Sequence, residues 1–198
     1  MAPAKQLQHD FYNRPTTTVA RELLGCRLVR LEQVDGKPLR TSGIIIETEA
    51  YCGETDLGCH AKAGLTKRTA PLYGPPGMSY VYFTYGMHWL LCAVTCPEGE
   101  PEAVLIRAIQ VDEGIERVAA RRGRVAQKLW TDGPAKLTQA LDIAGEHNQL
   151  DLCDPKAIIF IESGTAIPDS KVSTGPRIGL FTVPEPWKSK AWRYLAEI

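Results

Sequence analysis

The segment Ile44-Ile45-Ile46-Glu47-Thr48-Glu49-Ala50-Tyr51 ends an apolar run with two carboxylates and a phenol. Side chains of an extended chain alternate between faces. Glu47, Glu49 and Tyr51 then share one face with Ile45, leaving Ile44, Ile46, Thr48 and Ala50 on the other. Two acids and a tyrosine on one face make a candidate reaction wall, although a solvated sheet face carries the same pattern. Arg107 lies inside the apolar run Val104 to Ile109, where an unpaired charge is very costly. Glu49 or Glu47 is the expected partner. The pair is either a structural salt bridge or a device that keeps a carboxylate ionised and positions a water beside it. In Tyr80-Val81-Tyr82-Phe83-Thr84-Tyr85-Gly86, Tyr80 and Tyr82 fall on one face and Tyr85 on the other, at a hairpin turn. Aromatic strands pack into cores, but a tyrosine at a turn is not covered by its own sheet. Such a side chain suits stacking on a base or wedging into a duplex.

Other chemistries find little support. Six cysteines (26, 52, 59, 92, 96 and 153) and four histidines (9, 60, 88 and 147) contain no H-E-x-x-H and no close C-x-x-C pair, so no metal is expected. Cys59-His60 are adjacent, an arrangement that rarely ligates alone. Neither a Walker A motif nor G-x-G-x-x-G is present, and no cofactor is expected.

These residues need elements to hold them. A helix is expected over 16–24, stopped by Gly25, then strands over 26–31 and 39–51 joined through the Asp35-Gly36 turn. Residues 54–76 lack a period and read as a long loop, which in a compact domain is usually functional or mobile. Strands follow over 79–85, 89–95 and 103–109, helices over 112–129 and 134–143, and short strands over 157–161 and 177–182. The fold class is α+β, a single domain with a mostly antiparallel, curved sheet flanked by helices. Residues 1–10 read as an N-terminal extension, ordered or not, and 11–198 as the domain.

At 198 residues such a domain buries roughly 70% of its unfolded surface. Its 44% hydrophobic and 23% charged content excludes a disordered chain. No apolar run approaches the ~18 residues of a membrane span, and the start lacks a signal-peptide core. A cytoplasmic protein with reduced thiols is expected, nucleoid-associated in a prokaryote. Lys and Arg number 23, as do Asp and Glu, so nucleic-acid binding would rest on local patches. The basic clusters are Lys62, Lys67 and Arg68; Arg121, Arg122 and Arg124; and Lys188, Lys190 and Arg193, with Lys136 besides.

Taken together, Glu47-Thr48-Glu49-Ala50-Tyr51, His60, Tyr80-Val81-Tyr82, Tyr85-Gly86-Met87, Leu105-Ile106-Arg107-Ala108 and Gly133-Pro134-Ala135-Lys136-Leu137 resemble the alkyladenine (3-methyladenine) DNA glycosylase family of the mammalian type. Arg177-Ile178-Gly179 and the segment Trp187 to Tyr194 are also similar, so the resemblance runs from about Phe11 to Tyr194. It implies a monofunctional enzyme that flips a damaged purine from duplex DNA and hydrolyses its N-glycosidic bond, without strand cleavage. By resemblance, Glu49 is the general base, Arg107 helps hold the water, and the carbonyl of Ile178 is a further water ligand. Tyr51, His60 and Tyr82 match the pocket for the flipped base, Tyr85 the intercalating wedge, and Lys136 and Met87 DNA contacts. The expected partner is double-stranded DNA containing damaged purines, bound by a monomer with no membrane contact. One departure stands out: the family commonly has asparagine where Cys92 falls, and that asparagine helps exclude guanine. A thiol removes the amide's bulk and hydrogen bonds, so altered purine preference is expected. Two other classes stay open, a non-catalytic nucleic-acid binding module and a hydrolase of free nucleosides, though a free nucleoside offers Tyr85 no stack to wedge.

Overall fold

The computed structural model describes residues 5–197. Eight strands form one antiparallel sheet: β1 (Arg27–Val34), β2 (Lys37–Cys52), β3 (Ser79–Thr84), β4 (His88–Thr95), β5 (Glu102–Glu113), β6 (Ile159–Glu162), β7 (Val172–Gly175) and β8 (Arg193–Ala196). The order is β3-β4-β5-β2-β1-β6, with β8 pairing both β2 and β7. Central β2 is long enough to use two neighbours on one edge. Its first half pairs β1 over residues 37–44, and β8 takes Glu47, Thr48 and Glu49. The α+β, mostly antiparallel expectation holds.

One face carries the main core. There α2 (Thr16–Glu22) and α4 (Pro134–Leu141) bring Val19, Ala20, Leu137 and Leu141 against Ile45, Ala50, Leu91, Val104 and Ile106. The opposite face carries a smaller cluster of Cys59, Leu72, Tyr80, Cys92 and Leu105 beneath the loop that follows β2. That loop is anchored by short 3₁₀ turns at His60–Ala63 and Ala70–Tyr73.

Three expectations need correction, and part of the N-terminal extension takes a defined place. Strand alternation in β2 breaks at a bulge between Ile45 and Glu47. The extra residue moves Ile45 to the helix-facing core with Thr48 and Ala50, away from Glu47, Glu49 and Tyr51. Residues 112–129 are not one helix. β5 continues through Glu113, held as Asp112 accepts from Arg27 and Glu113 from Arg40 and Ser42. Gly114 at φ +73° then starts α3 (Ile115–Arg122), and Gly123 at φ +61° ends it. Residues 177–182 form no strand; β7 and β8 supply the late pairing. Of the expected extension, residues 5–10 lie on the sheet: Leu7 N–H donates to Ile161 O, and the Gln6 amide to Leu152 O and Asp154 O. His9–Tyr12 form a helical turn, α1; residues 1–4 lie outside the described part.

Candidate active site

Beyond the bulge, β2 presents Glu47, Glu49 and Tyr51 on the face away from the helices, as the alternation of types predicts. β5 supplies Arg107 from the neighbouring position. Its Nε donates to Glu47 Oε1 at 3.1 Å and its Nη1 lies 3.3 Å from Glu49 Oε1. Arg107 therefore joins both acids, and Arg193 of β8 donates to Glu47 Oε1 at 3.0 Å from the other side. The row Arg193–Glu47–Arg107–Glu49 alternates in sign and is neutral overall.

Glu49 is fully buried. Its Oε1 also accepts the Ile178 backbone N–H at 2.6 Å, and Oε2 accepts the Tyr51 hydroxyl at 2.8 Å. Burial pushes its carboxyl above the ordinary range, while Arg107, the Ile178 amide and Tyr51 pull it back toward ionisation. The three residues covering it, Tyr51, Arg107 and Ile178, form part of the wall of a cavity of about 320 Å³. That volume suits a small flat ligand. The other walls are aromatic: Tyr80 and Tyr82 stack with centroids 5.1 Å apart, and His60 meets Tyr82 edge-on at 4.7 Å.

His60 Nδ1 shares a hydrogen bond of 3.0 Å with the Tyr80 hydroxyl, and Arg68 Nη2 approaches Nε2 at 3.4 Å. Burial, with Arg68 and Lys62 adding to it, lowers the His60 pKa to about 4. The imidazole is neutral at pH 7 and offers no charge to the cavity. Cys92 pairs in register with Tyr80 on one side and Leu105 on the other. It lies on the cavity wall, and burial holds it as a neutral thiol.

Tyr85 stands 80% exposed at the β3–β4 tip and also reaches the cavity. The expectation that it opposes Tyr80 and Tyr82 fails because φ is +51° at Tyr85 and +68° at Gly86. A tight hairpin needs positive φ there, and the turn ends the alternation. Met87 projects beside it, 68% exposed. Lys136 sits in the first turn of α4, paired with Asp132 at 2.7 Å, and does not line the cavity, although Pro134 does.

The largest omission from the sequence reading is Asp56 with Arg177. Both side chains are fully buried and form a two-point pair, Arg177 Nη2 donating to Asp56 Oδ1 at 2.8 Å and Nη1 to Oδ2. Asp56 also accepts from Cys52 N–H and Gly58 N–H; Arg177 donates to Ala50 O and lies over the rings of Tyr51 and Trp192. The pair ties two loops to the end of β2 and so places Tyr51 and Ile178. Arg177 and Trp192 were visible only as part of a resemblance, and nothing in the sequence marks Asp56. No group of three metal-ligating side chains borders the cavity among the described residues.

Sheet and cavity together define an aromatic-walled pocket, backed by a buried carboxylate and flanked by an exposed tyrosine. The methylpurine-DNA glycosylase (MPG) family model matches residues 10–197. A Myxococcus xanthus protein named "Putative 3-methyladenine DNA glycosylase" is 45% identical over 88% of this chain and 81% of its own length. Proteins of the same name from Chlorobaculum parvum and Clostridium acetobutylicum are each 41% identical, over 93% and 96% of this chain and 86% and 93% of their own lengths. The chain belongs to the methylpurine-DNA glycosylase family, and with it to the DNA-repair glycosylases acting on DNA.

Proposed function

We propose that this glycosylase takes an alkylated purine out of duplex DNA into the aromatic cavity and hydrolyses its N-glycosidic bond with a water activated by Glu49. The observation that carries this is the position of Glu49, buried directly behind the cavity wall, oriented by two hydrogen-bond donors and ion-paired with Arg107. A carboxylate offers about four lone-pair sites, of which two accept from Tyr51 and Ile178, leaving a site to take the water's proton as its oxygen attacks the sugar carbon. Arg107 favours the ionised form needed for this. The Ile178 amide orients the carboxylate, and its carbonyl is assigned as a further water ligand.

Alkylation at a ring nitrogen makes the purine cationic, which weakens the glycosidic bond and makes the base a good leaving group. General-base assistance is typically worth 10²–10⁴-fold, and the same carboxylate stabilises positive charge developing on the sugar. Tyr82 and Tyr51 offer π faces to a cationic ring, worth about 0.5–2 kcal/mol per good contact. Neutral His60 adds no repulsion. Tyr85 fills the gap left in the stack, with Met87 beside it, and Lys136 reaches the backbone on exchanging its Asp132 partner for phosphate. Substrates would be 3-methyladenine and, through Cys92, 7-methylguanine, with hypoxanthine and ethenoadenine as further candidates. The enzyme works as a monomer, and with no lysine at the reaction centre it leaves an intact abasic strand.

The test is chromatographic release of free bases from methylated duplex DNA by wild type and Glu49→Gln. The expected result is release of methylated purines by wild type, loss of at least about 100-fold in the variant, and DNA binding retained by both. Binding without release by either protein would favour the non-catalytic binding module.

A further inference from the structure

Away from the cavity, on the opposite end of the β3–β4 pair, His9, Asp151 and Cys153 bring one ligand atom each to within 4.8 Å of one another. They come from α1 and from the segment before β6. Around them the backbone is tightly tied: Leu152 N–H donates to Gly77 O, Cys153 N–H to Asp151 Oδ1 at 2.8 Å, and Met78 bridges Asp151.

The orientation of His9 has a chemical meaning. Its Nδ1 lies 2.8 Å from Pro76 O, which can only accept, so Nδ1 carries the hydrogen. In neutral imidazole Nε2 then presents a lone pair, and it faces Asp151 Oδ2 at 3.6 Å. An imidazole nitrogen facing a carboxylate oxygen in this way is satisfied by a cation between them, either a proton or a metal ion. A histidine whose second nitrogen donates to a carbonyl is the usual arrangement around a metal. Zinc bonds of about 2.0–2.1 Å at a tetrahedral angle separate two such ligand atoms by about 3.3 Å, close to the separation found.

Two further observations point to the same place. Tyr12 packs in the same buried cluster as Cys153, and its hydroxyl is fully buried with no hydrogen-bond partner among the described residues. A metal-bound thiolate is the strong acceptor that hydroxyl lacks. A Cβ added at Gly77 would lie 2.7 Å from Cys153 Sγ, 3.1 Å from the Tyr12 ring and 3.4 Å from His9 Nδ1. Glycine at φ +86° therefore keeps these side chains together.

We propose that His9 Nε2, Asp151 and Cys153 Sγ bind a zinc ion that clips the N-terminal segment to the strand β3 side of the sheet. The donor set of nitrogen, oxygen and sulfur suits zinc, with a water as fourth ligand. As the zinc–sulfur bond forms, the thiol proton leaves to solvent and the Tyr12 hydroxyl turns to the thiolate. The site is independent of the glycosylase reaction. Sequence spacing hides it, because His9 lies far in the chain from the Asp151-x-Cys153 pair.

The test is titration of chelator-treated full-length protein with zinc against a chromophoric competitor, repeated with cobalt to read the thiolate-to-metal charge-transfer band. One zinc per chain is expected, with a cobalt–thiolate band and a raised melting temperature. Cys153→Ser should abolish the band, and His9→Ala, at a half-exposed position that leaves the core intact, should weaken zinc by at least about 100-fold, beyond the 10–100-fold loss of an outer partner. Absence of stoichiometric zinc in wild type overturns the site, as does binding that His9→Ala leaves unchanged.

Discussion

Replacing Asp56 by asparagine changes one oxygen for an amide in a pair whose two side chains are fully buried. The amide can still accept from the Cys52 or Gly58 N–H, but it turns an NH₂ toward the Arg177 guanidinium, donor against donor. Arg177 keeps its bond to Ala50 O and its place over Tyr51 and Trp192, so the charge stays buried without a counter-ion. Breaking one side of a buried pair costs about 3–5 kcal/mol. In a domain of 198 residues each kcal/mol lowers the melting temperature by roughly 2–4 °C, so a fall of roughly 6–20 °C is expected by calorimetry.

The same pair positions Ile178, whose N–H holds Glu49, and Tyr51, whose hydroxyl does. Single-turnover base release by Asp56→Asn at a permissive temperature should therefore fall by up to about 100-fold, the cost of a misplacement near 1 Å. Arg177→Met alone should be comparably unstable, and the double variant Asp56→Leu/Arg177→Met less damaged than the sum. A melting point within about 2 °C of wild type, with an unchanged single-turnover rate, would show that these loops hold their shape without the pair.

Cys92→Asn is expected to lower the ratio of guanine- to adenine-derived bases released from methylated DNA by roughly 2- to 12-fold, one hydrogen bond of about 0.5–1.5 kcal/mol; an unchanged profile removes Cys92 from specificity. His60 carries a folded-state pKa of about 4 against 6.5 for the free side chain, so the unfolded chain takes up its proton first. The stability it contributes above pH 6.5 is lost as pH falls toward 4, and urea unfolding between pH 7.5 and 4.5 should show a steeper loss in wild type than in His60→Asn. DNA affinity measured against salt should give a log–log slope of roughly −3 to −5, from three to five phosphate contacts, and a slope steeper than about −7 would show that basic residues outside those near the cavity also reach phosphate.

Legibility followed the range over which each feature is determined. The wall of Glu47, Glu49 and Tyr51 and the demand of Arg107 for a carboxylate follow from strand parity and the cost of a buried charge, both local or nearly so. Ile45 was misplaced because a bulge depends on how β2 meets β5, and the isoleucine at position 46 carries no mark of it. The helix over 112–129 was overextended because its acids suit a helix start, whereas Asp112 and Glu113 are held in the sheet by arginines of β1 and β2. Residues 177–182 read as a strand because Ile-Gly-Leu-Phe-Thr-Val is apolar, yet Ile178 is 49% and Phe181 79% exposed. Ile178 and Leu180 line the cavity, so the apolarity of this segment serves that wall and not the core.

The zero net charge also acquires a physical explanation. Of the basic residues that composition offered for DNA, Arg121 pairs with Glu32, Arg193 with Glu47 and Lys136 with Asp132, while Arg122 donates to Gln139. Elsewhere Arg27, Arg40, Arg107 and Arg177 brace strands and loops through carboxylates. Many of the arginines are thus internal struts, and the matching acids are the other ends of those struts. Of the basic clusters, Lys62, Lys67, Arg68, Arg124, Lys188 and Lys190 form no ion pair among the described residues, and the net charge of the chain is zero. Without a net positive field, the recognition proposed above draws on what the surface offers at close range. That is Tyr85 and Ile178, exposed on the cavity wall, with Met87 and Phe181 exposed close to them in the chain. Under the proposed function such groups gain from a base pair that opens easily more than from one that stays stacked, so a neutral chain would favour damaged sites through these contacts and not through its charge.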